Sequence, residues 1–325
     1  MASSTASPPP PRLPPCAASV LVVDKPRGPT SHDVVARLRR ALGTKQVGHC
    51  GTLDPMATGV LVVAIEDGTK LVPWLTVDDK QYEATVSLGI ATDSFDADGV
   101  ETARVPIGEQ LEKALAALGS QGATSLSPLL AQALEAERAR TMQMPPAISA
   151  IRIGGERAHA IARRGESPEL TARAVCVRRL EVVGGGLQPS PFLRVTVDVT
   201  KGYFVRSLAR DLAEALGTVG HLTQLRRTRS GAFTLADAIP LDAPPVTLRA
   251  AVIPIARAAM RALPASVLTE EGVRAAGHGQ RLMPGQLRDP HSTPSAWLDE
   301  AGALVAIGEV DADGGGRVLR GFSKA

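Results

Sequence analysis

The chain has 325 residues, of which 44% are hydrophobic and 21% are charged, a composition typical of a globular protein in water. It holds no apolar run of the roughly 18–20 residues that a membrane span needs, and its first residues lack the pattern of a secretion signal. We therefore expect a cytoplasmic protein, long enough for one large domain and a smaller one. Its three cysteines, Cys16, Cys50 and Cys176, are too far apart to indicate a disulfide framework or a zinc site built from cysteines.

The net charge of +3 is unevenly distributed along the chain. Residues 152–229 hold 14 lysines and arginines against 7 acidic residues, whereas residues 76–151 hold 5 against 11. Such a basic stretch favours a surface that binds a polyanion. Arginines that are merely solvated would give the same count, so charge alone leaves both interpretations open.

The first 17 residues are rich in proline and serine and predict a disordered tail. The apolar run Val20–Val23 then predicts a short strand, which ends at the turn signal DKPRGPT.

The next segment, TSHDVVARLRRALG, predicts an amphipathic helix. Thr30 or Ser31 can cap its N-terminus, and Gly43 can close it. The apolar face carries Val34, Val35, Leu38 and Leu42. The opposite face carries Arg37, Arg39 and Arg40, and Lys45 follows just beyond.

Later apolar patterns predict further strands and helices. A continuous apolar run predicts a buried strand over Val60–Ile65, and alternation predicts a half-buried strand over Gln81–Leu88. Strand-like patterns also cover 147–153, 175–183 and 192–199. Helices are expected over 109–119, 128–140 and 205–216, and the second of them is polar enough to indicate an excursion on the surface.

From about Leu263 the pattern changes to short apolar runs with many turns, after the linker-like stretch AIPLDAPP. Within it, WLDEAGALVAI predicts a hairpin that turns near Glu300–Gly302. We therefore divide the chain into a tail (1–17), a main domain (18–262) and a small β-rich unit (263–325).

Motifs for cofactors and metals are missing. The sequence has no phosphate-binding P-loop and no dinucleotide-binding G-x-G-x-x-G between a strand and a helix. TDSFDADG resembles a calcium loop, but Ser94 stands where the first aspartate should be and Val105 where the glutamate should be. The six histidines include no i, i+4 pair that would favour zinc. We therefore expect neither a metal nor a cofactor.

The stretch GHCGTLDPMATGVL places the single carboxylate of Asp54 among glycines. Gly48, Gly51 and Gly59 would let a bulky ligand approach the backbone closely. Pro55 favours an extended backbone at Asp54, which would project the carboxylate outward. An aspartate that caps a glycine turn would need the same residues. Local physics therefore leaves a catalytic and a structural role open.

That stretch resembles the hallmark motif of the tRNA pseudouridine-55 synthases, the TruB family. Five more segments resemble the family's other motifs in the correct order, from about Val20 to Phe233. They are VLVVDKPRGPTSHDVV, DDKQYEATVSLGIATDSFDADG, MPPAISAIRIGGERAHAIARRGE, KGYFVRSLARDLAEALG (like "KGTYIRSLA-DLG") and HLTQLRRTRSGAF. The resemblance implies a mixed α/β (α+β) fold with a largely antiparallel central sheet flanked by helices. It also implies a small C-terminal PUA-like domain that binds RNA.

The implied reaction converts uridine 55 in the TΨC loop of tRNA to pseudouridine, in a stand-alone monomer that needs no guide RNA and no cofactor. Asp54 would act on the C1′ side of the ribose, either by covalent attack or by removing a sugar proton. Arg206 would pair with Asp54 and hold it ionised, because burial alone would favour protonation. Tyr82 would stack on the uracil and remove the C5 proton, and Leu225 would pack on the other side of the flipped base.

The resemblance gives supporting roles to four more residues. His49 would help to hold the opened RNA loop, and Lys25 with Pro26 would support the floor of the site. Tyr203 would form part of the pocket wall. The implied set is thus Asp54, Tyr82 and Arg206 for catalysis, and His49, Leu225, Lys25 and Tyr203 for substrate binding.

The chain departs from the family pattern at a few positions. Cys50 stands where threonine or serine is usual, Ile148 and His159 replace tyrosines, and Arg152 replaces a lysine. The stretch 120–142 is longer than the family pattern and indicates an insertion. These departures concern details of the pocket wall and leave the catalytic set intact.

Three other functions compete with this interpretation. A guide-RNA-dependent synthase of the dyskerin type shares the superfamily, but the ATGVL half of the motif favours the stand-alone branch. A protein that only binds or folds RNA would not need the intact set of Asp54, Tyr82, Arg206 and Leu225. A glycoside hydrolase would need a second placed acid, for which Asp93 is the nearby candidate.

Overall fold

The computed structural model describes residues 16–121, 126–149 and 151–322. Most of the tail predicted over 1–17 therefore lies outside the described residues. None of the helices within these ranges combines the length and the apolar character that crossing a bilayer demands.

The strands, in chain order, are β1 (Ser19–Lys25), β2 (Val47–His49), β3 (Thr58–Ile65), β4 (Lys80–Leu88), β5 (Ile90–Thr92), β6 (Glu101–Arg104), β7 (Met142–Gln143), β8 (Arg152–Ile153), β9 (Glu156–Arg157), β10 (Arg173–Ala174), β11 (Val177–Gly186), β12 (Phe192–Val199), β13 (Gly220–Ser230), β14 (Phe233–Thr234), β15 (Ile239–Pro240), β16 (Ile253–Pro254), β17 (Ala265–Leu268), β18 (Leu287–Arg288), β19 (Ser295–Leu298), β20 (Leu304–Val310) and β21 (Gly316–Gly321).

The α-helices are α1 (Ser31–Leu42), α2 (Val72–Leu75), α3 (Glu109–Gln121), α4 (Pro128–Arg138), α5 (Ala158–Arg163), α6 (Val205–Ala215), α7 (Pro245–Ala250), α8 (Ile255–Ala262) and α9 (Glu270–Gly277). Short 3₁₀ helices cover Glu66–Leu71 and Leu235–Asp237.

A mixed sheet with the strand order β11-β12-β4-β13-β3-β1-β15 forms the centre of the fold. The long pairings are antiparallel, as in β11 with β12, β12 with β4, β4 with β13 and β1 with β3. Parallel pairing joins β13 to β3 over two residues and β1 to β15 over two. The predicted mixed α/β fold with a largely antiparallel sheet is confirmed.

Apolar cores cover both faces of the middle strands. Helices α1, α3, α4 and α6 pack on one face, where Leu61 and Val63 of β3 are buried with Leu38 and Leu208. On the other face, α8 and the C-terminal strands pack against the alternate residues of β1 and β3. Because both faces are covered, β3 is a continuous apolar run without alternation.

Helix α1 begins where the sequence predicts, with Thr30 as its cap. The Thr30 hydroxyl accepts from the amide of Asp33, and the Asp33 carboxylate accepts from the amide of Thr30, which makes a capping box. Gly43 ends the helix in the left-handed conformation at φ 69°. Ser31, the other candidate cap, is left to bind the loop that carries Asp54.

Some predicted elements differ from the structure. Helix α4 is not a surface excursion, because Leu130 and Leu134 are buried against the sheet. A strand was predicted over 147–153. Among the described residues of that range, Arg152–Ile153 forms a strand, which pairs with β9. The linker-like stretch AIPLDAPP instead contains β15, which pairs with β1. Strand β13 was not predicted, since its sequence GHLTQLRRTRS is polar.

The C-terminal residues form a second sheet, in the order β18-β17-β19-β20-β21. The predicted hairpin is present, since β19 and β20 are antiparallel neighbours on either side of the turn near Glu300. Helix α9, between β17 and β18, was not predicted. The unit is β-rich as expected, and the boundary at 262/263 stays a prediction.

Replacing Gly59 by alanine should destabilise the protein strongly. Gly59 has φ +101°, and a Cβ atom there would lie 2.2 Å from the Arg227 carbonyl oxygen on the neighbouring strand. Gly28 has a similar φ of +110°, but nothing lies within 4 Å of its Cβ position. We expect G28A to lower the free energy of unfolding by about 1–3 kcal/mol through backbone strain. G59A should cost about 1–3 kcal/mol more, because the paired strands must shift.

Urea unfolding of the two variants measures this difference, with G28A as the matched control for φ alone. Equal midpoints for G59A and G28A would contradict the close approach of β3 and β13 at Gly59.

Candidate active site

Asp54 lies in the loop between β2 and β3, and neighbouring elements hold the main chain of this loop in place. The Ser31 hydroxyl donates to the Leu53 carbonyl at 3.1 Å and accepts from the Leu53 amide at 2.9 Å. The amide of Gly28 donates to the Pro55 carbonyl at 2.9 Å. These bonds fix the backbone on both sides of Asp54 and leave its carboxylate free for other contacts.

Lys25 lies beneath this loop and is fully buried. Its ammonium donates to the carbonyls of Pro26 at 2.9 Å, Pro29 at 2.8 Å and Pro55 at 3.2 Å. Burial lowers the pKa of Lys25 to about 8, against the opposing effect of the nearby Asp54 carboxylate. The structure therefore places Lys25 under the site as a support, and its ammonium points to main-chain carbonyls.

Arg227, on β13, holds the first half of the same loop. Its side chain is 1% exposed. The guanidinium donates to the carbonyls of Val60 at 2.7 Å, Thr52 at 3.3 Å and Gly51 at 3.2 Å. Sequence reasoning gave Arg227 no role, because an arginine in a polar stretch is usually exposed.

The Asp54 carboxylate forms an ion pair with Arg206 at the start of α6. The distance from Nε to Oδ2 is 2.9 Å, and Nη2 donates to Oδ1 at 3.3 Å. Arg206 is almost completely buried, whereas the Asp54 side chain is 31% exposed. The acid therefore faces open space while its cationic partner lies behind it.

Other groups hold the Arg206 guanidinium from its far side. Nη1 donates to the carbonyls of Ser94 at 3.0 Å and Ile148 at 2.9 Å, and it lies 3.4 Å from Oδ2 of Asp96. Burial raises the pKa of the Asp96 carboxyl, although Ser94 and Arg206 oppose the shift. Asp96 belongs to the stretch TDSFDADG, which was rejected as a calcium loop and lies in a family-like segment, but no role was predicted for Asp96 itself.

The exposed side of Asp54 faces a cleft of about 120 Å³. Tyr82 from β4 and Leu225 from β13 line it, together with Arg206 and Tyr203. The structure thus brings five residues of the implied set to one cleft. The Tyr82 hydroxyl makes no hydrogen bond with any of the described residues.

Tyr203 and Phe204 line the cleft just before α6. The Tyr203 hydroxyl donates to the buried Glu137 carboxylate at 2.7 Å, so it points into the protein. Burial and the Glu137 charge raise the pKa of Tyr203 well above its usual range. In the family string "KGTYIRSLA" threonine and tyrosine stand at these two positions, so the hydroxyl-bearing ring is one position earlier in this chain.

His49 lies at the end of β2, beside the loop rather than among the residues that line the cleft. Its ring meets that of His32 edge-on, with 5.2 Å between the ring centroids. Nδ1 is buried and has no hydrogen-bond partner among the described residues. Burial, together with His32 and Arg227, lowers the pKa of His49 to about 4. The ring is therefore neutral at pH 7.

The departures from the family pattern lie mostly outside the cleft. Cys50 is fully buried in the apolar core beneath the sheet, and burial raises the pKa of its thiol to about 12. Ile148 supplies its carbonyl to Arg206, a contact that does not depend on the side chain. Arg152 lies exposed on β8. The side chain of His159 lies outside the described residues.

Ion pairs between the described residues involve seven of the 14 lysines and arginines in the basic stretch 152–229. Pairs in this stretch are Arg164 with Glu156, Arg178 with Asp79, Arg179 with Glu181, Arg206 with Asp54, Arg210 with Asp211, Arg226 with Asp24 and Arg229 with Asp198. Arg37, Arg40 and Lys45 on and after α1 are exposed and form no ion pair with the described residues. Exposed cations without an ion pair among the described residues therefore lie on and after α1 and also within 152–229, for example Lys201 and Arg194.

A larger groove of about 620 Å³ lies between α8 and the C-terminal sheet, and its lining is mostly apolar. It holds no counterpart to the Asp54 and Arg206 pair. Within the described ranges, no three histidine, cysteine, aspartate or glutamate side chains come together as a metal site. Of these two cavities, the cleft at Asp54 is the one that combines a partly exposed carboxylate with a buried cation.

Comparison with known proteins adds independent findings. Residues 39–205 match the family model described as TruB family pseudouridylate synthase (N terminal domain), and residues 206–252 match the tRNA pseudouridylate synthase B C-terminal domain. A tRNA pseudouridine synthase B of Thermobifida fusca (strain YX) is 41% identical over 298 residues, which cover 90% of this chain and 94% of that protein. The protein of the same name from Nocardia farcinica (strain IFM 10152) is 49% identical over 229 residues, 69% of each chain.

Solved structures share the fold. The chain resembles one in the structure of an H/ACA RNP bound to a substrate RNA containing 2′-deoxyuridine, with a TM-score of 0.67 and 24% identity over 94% of this chain and 85% of that one. It also resembles a chain of a Cbf5-Nop10-Gar1 complex, with a TM-score of 0.66 and 25% identity over 94% and 84%. Both likenesses support the mixed α/β architecture described above.

The lowered pKa of His49 predicts a pH-dependent stability. The folded ring stays neutral down to about pH 4, whereas the unfolded ring takes up a proton near its ordinary value of 6.5. As the pH falls from 6.5 to 4, proton uptake favours the unfolded state. The free energy of unfolding should fall by less than the full-proton limit of about 1.4 kcal/mol per pH unit, since the ring is partly exposed.

Urea unfolding at several pH values checks this, because His49→Asn should flatten the acid limb of the curve. His278→Asn, at the exposed end of α9, is the control for the loss of one histidine. Parallel curves for wild type and H49N would contradict the buried neutral ring.

Proposed function

This chain belongs to the TruB family of pseudouridylate synthases and is a tRNA pseudouridine synthase, and we propose that it isomerises uridine 55 of the TΨC loop with Asp54 as the essential group. The observation that carries the proposal is the Asp54 carboxylate, which is paired with buried Arg206 and faces a cleft lined by Tyr82 and Leu225. No cofactor takes part in the proposed reaction.

The reaction is an isomerisation, so its atoms and electrons balance without a second reactant. The bond between N1 and C1′ breaks, the detached uracil turns, and C5 bonds to C1′. The C5 proton then leaves and N1 gains one. Since no electrons enter or leave, no redox group is needed.

Asp54 starts the reaction on the ribose side of the nucleotide, either by attack on C1′ or by removal of a sugar proton. Both routes need the ionised carboxylate. The Arg206 guanidinium lies 2.9 Å from this carboxylate and supplies the opposite charge. The same pairing orients Oδ1 and Oδ2 before the substrate arrives.

The target base leaves its stack to reach Asp54, as it does in other enzymes that act on a base inside folded nucleic acid. Tyr82 supplies an aromatic face for the base and Leu225 an aliphatic one. The Tyr82 hydroxyl has no partner among the described residues, which leaves it available to take the C5 proton. His49 helps to hold the opened RNA loop as a neutral group.

The T-arm of tRNA is the proposed partner, with no guide RNA, and the enzyme acts as a monomer in the cytoplasm. The curated relatives named above are tRNA pseudouridine synthases, and one of them is 41% identical over 90% of this chain. Arg37, Arg40 and Lys45 supply exposed positive charge for RNA phosphates in this proposal. The C-terminal sheet is a second RNA-binding surface in this proposal.

Incubation with unmodified tRNA transcript, without guide RNA, tests the function. Wild-type protein should form pseudouridine at position 55, whereas Asp54→Asn should lower the rate at least about a thousandfold, because the neutral amide can neither attack nor take a proton. Site-specific pseudouridine mapping measures the product, and filter binding measures the affinity for tRNA.

Asp93→Asn is the control for loss of a nearby acid. Asp93 accepts from the Val100 amide at 2.9 Å and does not line the cleft, so D93N should keep most of the activity. Binding of tRNA without any product in wild type would support the RNA-binding alternative and defeat the proposal. A product only after addition of a guide RNA would favour the dyskerin-type reaction.

Removing the free charges of α1 should weaken tRNA binding with little effect on the chemical step. R37A/R40A/K45A should raise Kd, and the slope of log Kd against log salt should fall by up to about 2–3, since each lost duplex phosphate contact removes about 0.9. Binding assays across a salt series measure this slope.

R104A/K113A/R179A removes the same net charge at exposed positions on β6, α3 and β11, where each side chain is paired with a glutamate. This control should keep the wild-type slope. Equal slopes for the two triple variants would show that α1 does not contact the phosphates.

A further inference from the structure

One wall of the cleft is held from behind by helix α4. Tyr203 lines the cleft and is 8% exposed, and its hydroxyl donates to Oε1 of Glu137 at 2.7 Å. Glu137 lies near the C-terminal end of α4 and is 2% exposed. The tyrosine ring thus faces the cleft while its hydroxyl is anchored in the interior.

The Glu137 carboxylate is fixed in turn by its other oxygen. Oε2 accepts from Nε of Arg140 at 2.7 Å, and Nε also lies 3.5 Å from Oδ2 of Asp211 on α6. Oδ1 of Asp211 accepts from Nε of Arg210 at 2.7 Å. The wall of the cleft, the end of α4 and the middle of α6 are therefore joined by one network of polar groups, in which the carboxylates are buried and the two arginines are partly exposed.

The residue after Tyr203 is held in a similar way. Gln143, on β7 just beyond α4, accepts from the Phe204 amide at 2.8 Å and donates to the Phe204 carbonyl at 3.2 Å. Phe204 directly precedes α6, and Arg206 is the second residue of that helix. The segment from α4 to β7 thus fixes both Tyr203 and the start of the helix that carries Arg206.

From these contacts we infer that Glu137 is a positioning residue for the reaction, which places the Tyr203 ring against the flipped nucleotide. It touches neither Asp54 nor the space of the cleft and acts through the Tyr203 hydroxyl. The inference rests on the proposed function in one respect only, namely that the target nucleotide occupies this cleft.

Burying the Glu137 carboxylate costs desolvation free energy, which argues that the Tyr203 ring has to be placed precisely. An apolar residue at 137 would pack without the cost of desolvating a charge, but it would give the ring no fixed direction. Burial raises the pKa of the Glu137 carboxyl, while the bonds from Tyr203 and Arg140 oppose this shift. These bonds hold the carboxylate and the ring in one arrangement relative to each other.

The experiment compares Glu137→Leu, Tyr203→Phe and the double variant on unmodified tRNA transcript. Each single variant should lower the single-turnover rate about ten- to a hundredfold, since a small misplacement in an active site is costly. The Kd for tRNA should stay within about twofold of wild type, because both substitutions change buried groups and leave the exposed surface of the protein as it is. The double variant should lose no more than either single one, because both remove the same bond. Glu137→Gln keeps an acceptor for the hydroxyl and should lose less than E137L.

Two matched controls lie on the same helix. Leu134→Ala creates a cavity in the core beside α4 without contact with the cleft, and it should lower the melting temperature while it keeps the single-turnover rate. Glu135→Gln neutralises an exposed carboxylate two residues away and should change neither.

The pKa of Tyr203 is a second measurement, because a loss of stability alone would not change it. The chain has two tyrosines, so the tyrosinate absorbance of a Tyr82→Phe variant reports Tyr203 alone. Adding E137Q to it should lower the pKa of Tyr203, because a negative neighbour is removed.

The outcomes separate this inference from the function itself. No pseudouridine from wild-type protein would defeat the proposed function. Active wild type with E137L and Y203F at the wild-type rate would defeat the positioning role alone. Rates that fall for L134A as much as for E137L would also defeat it, because the loss would then follow stability.

Discussion

The whole site depends on the coordination of one buried guanidinium, that of Arg206. A cation that is almost removed from water needs a partner for each of its polar atoms, or its desolvation is not compensated. The partners come from distant parts of the chain: the Asp54 loop, the Ser94–Asp96 turn and the Ile148 carbonyl. Folding α6 into place therefore gathers these segments around one point, and the position of the Asp54 carboxylate follows from the position of its cation.

The other two buried cations hold the main chain of the Asp54 loop. Lys25 and Arg227 bond mainly to main-chain carbonyls. A loop rich in glycine and proline has few side chains with which to anchor itself, so these cations fix it through its backbone. The main chain of the loop is thus held without use of the Asp54 carboxylate, which stays available for other contacts. Arg206 alone of these three cations meets Asp54 directly.

Much of the fold could be predicted from the sequence because its signals are local. The apolar run of β3, the alternation of β4 and the capped helix α1 follow from periodicity and end residues. Strand β13 could not be predicted, because nothing local distinguishes the interior Arg227 from the exposed arginines beside it. The charge count of 152–229 could not show which of its arginines are unpaired, since some of them pair with acids outside that stretch, such as Asp79 and Asp24. Local physics left the role of Asp54 open, and resemblance across six segments was needed to choose. Neither local patterns nor the resemblance indicated Asp96 and Glu137, because their contacts join segments that lie far apart in the chain.

The burial of Cys50 has a consequence for the chemical durability of the enzyme. The thiolate is the form that alkylating agents and oxidants attack, and a thiol whose pKa is raised to about 12 is almost entirely protonated in the cell. Cys50 is also closed off from solvent. An exposed thiol four positions before Asp54 would leave this loop open to oxidation and alkylation. Here the thiol is shielded as part of the apolar core, so the chain keeps a cysteine beside Asp54 in sequence without presenting it to oxidants.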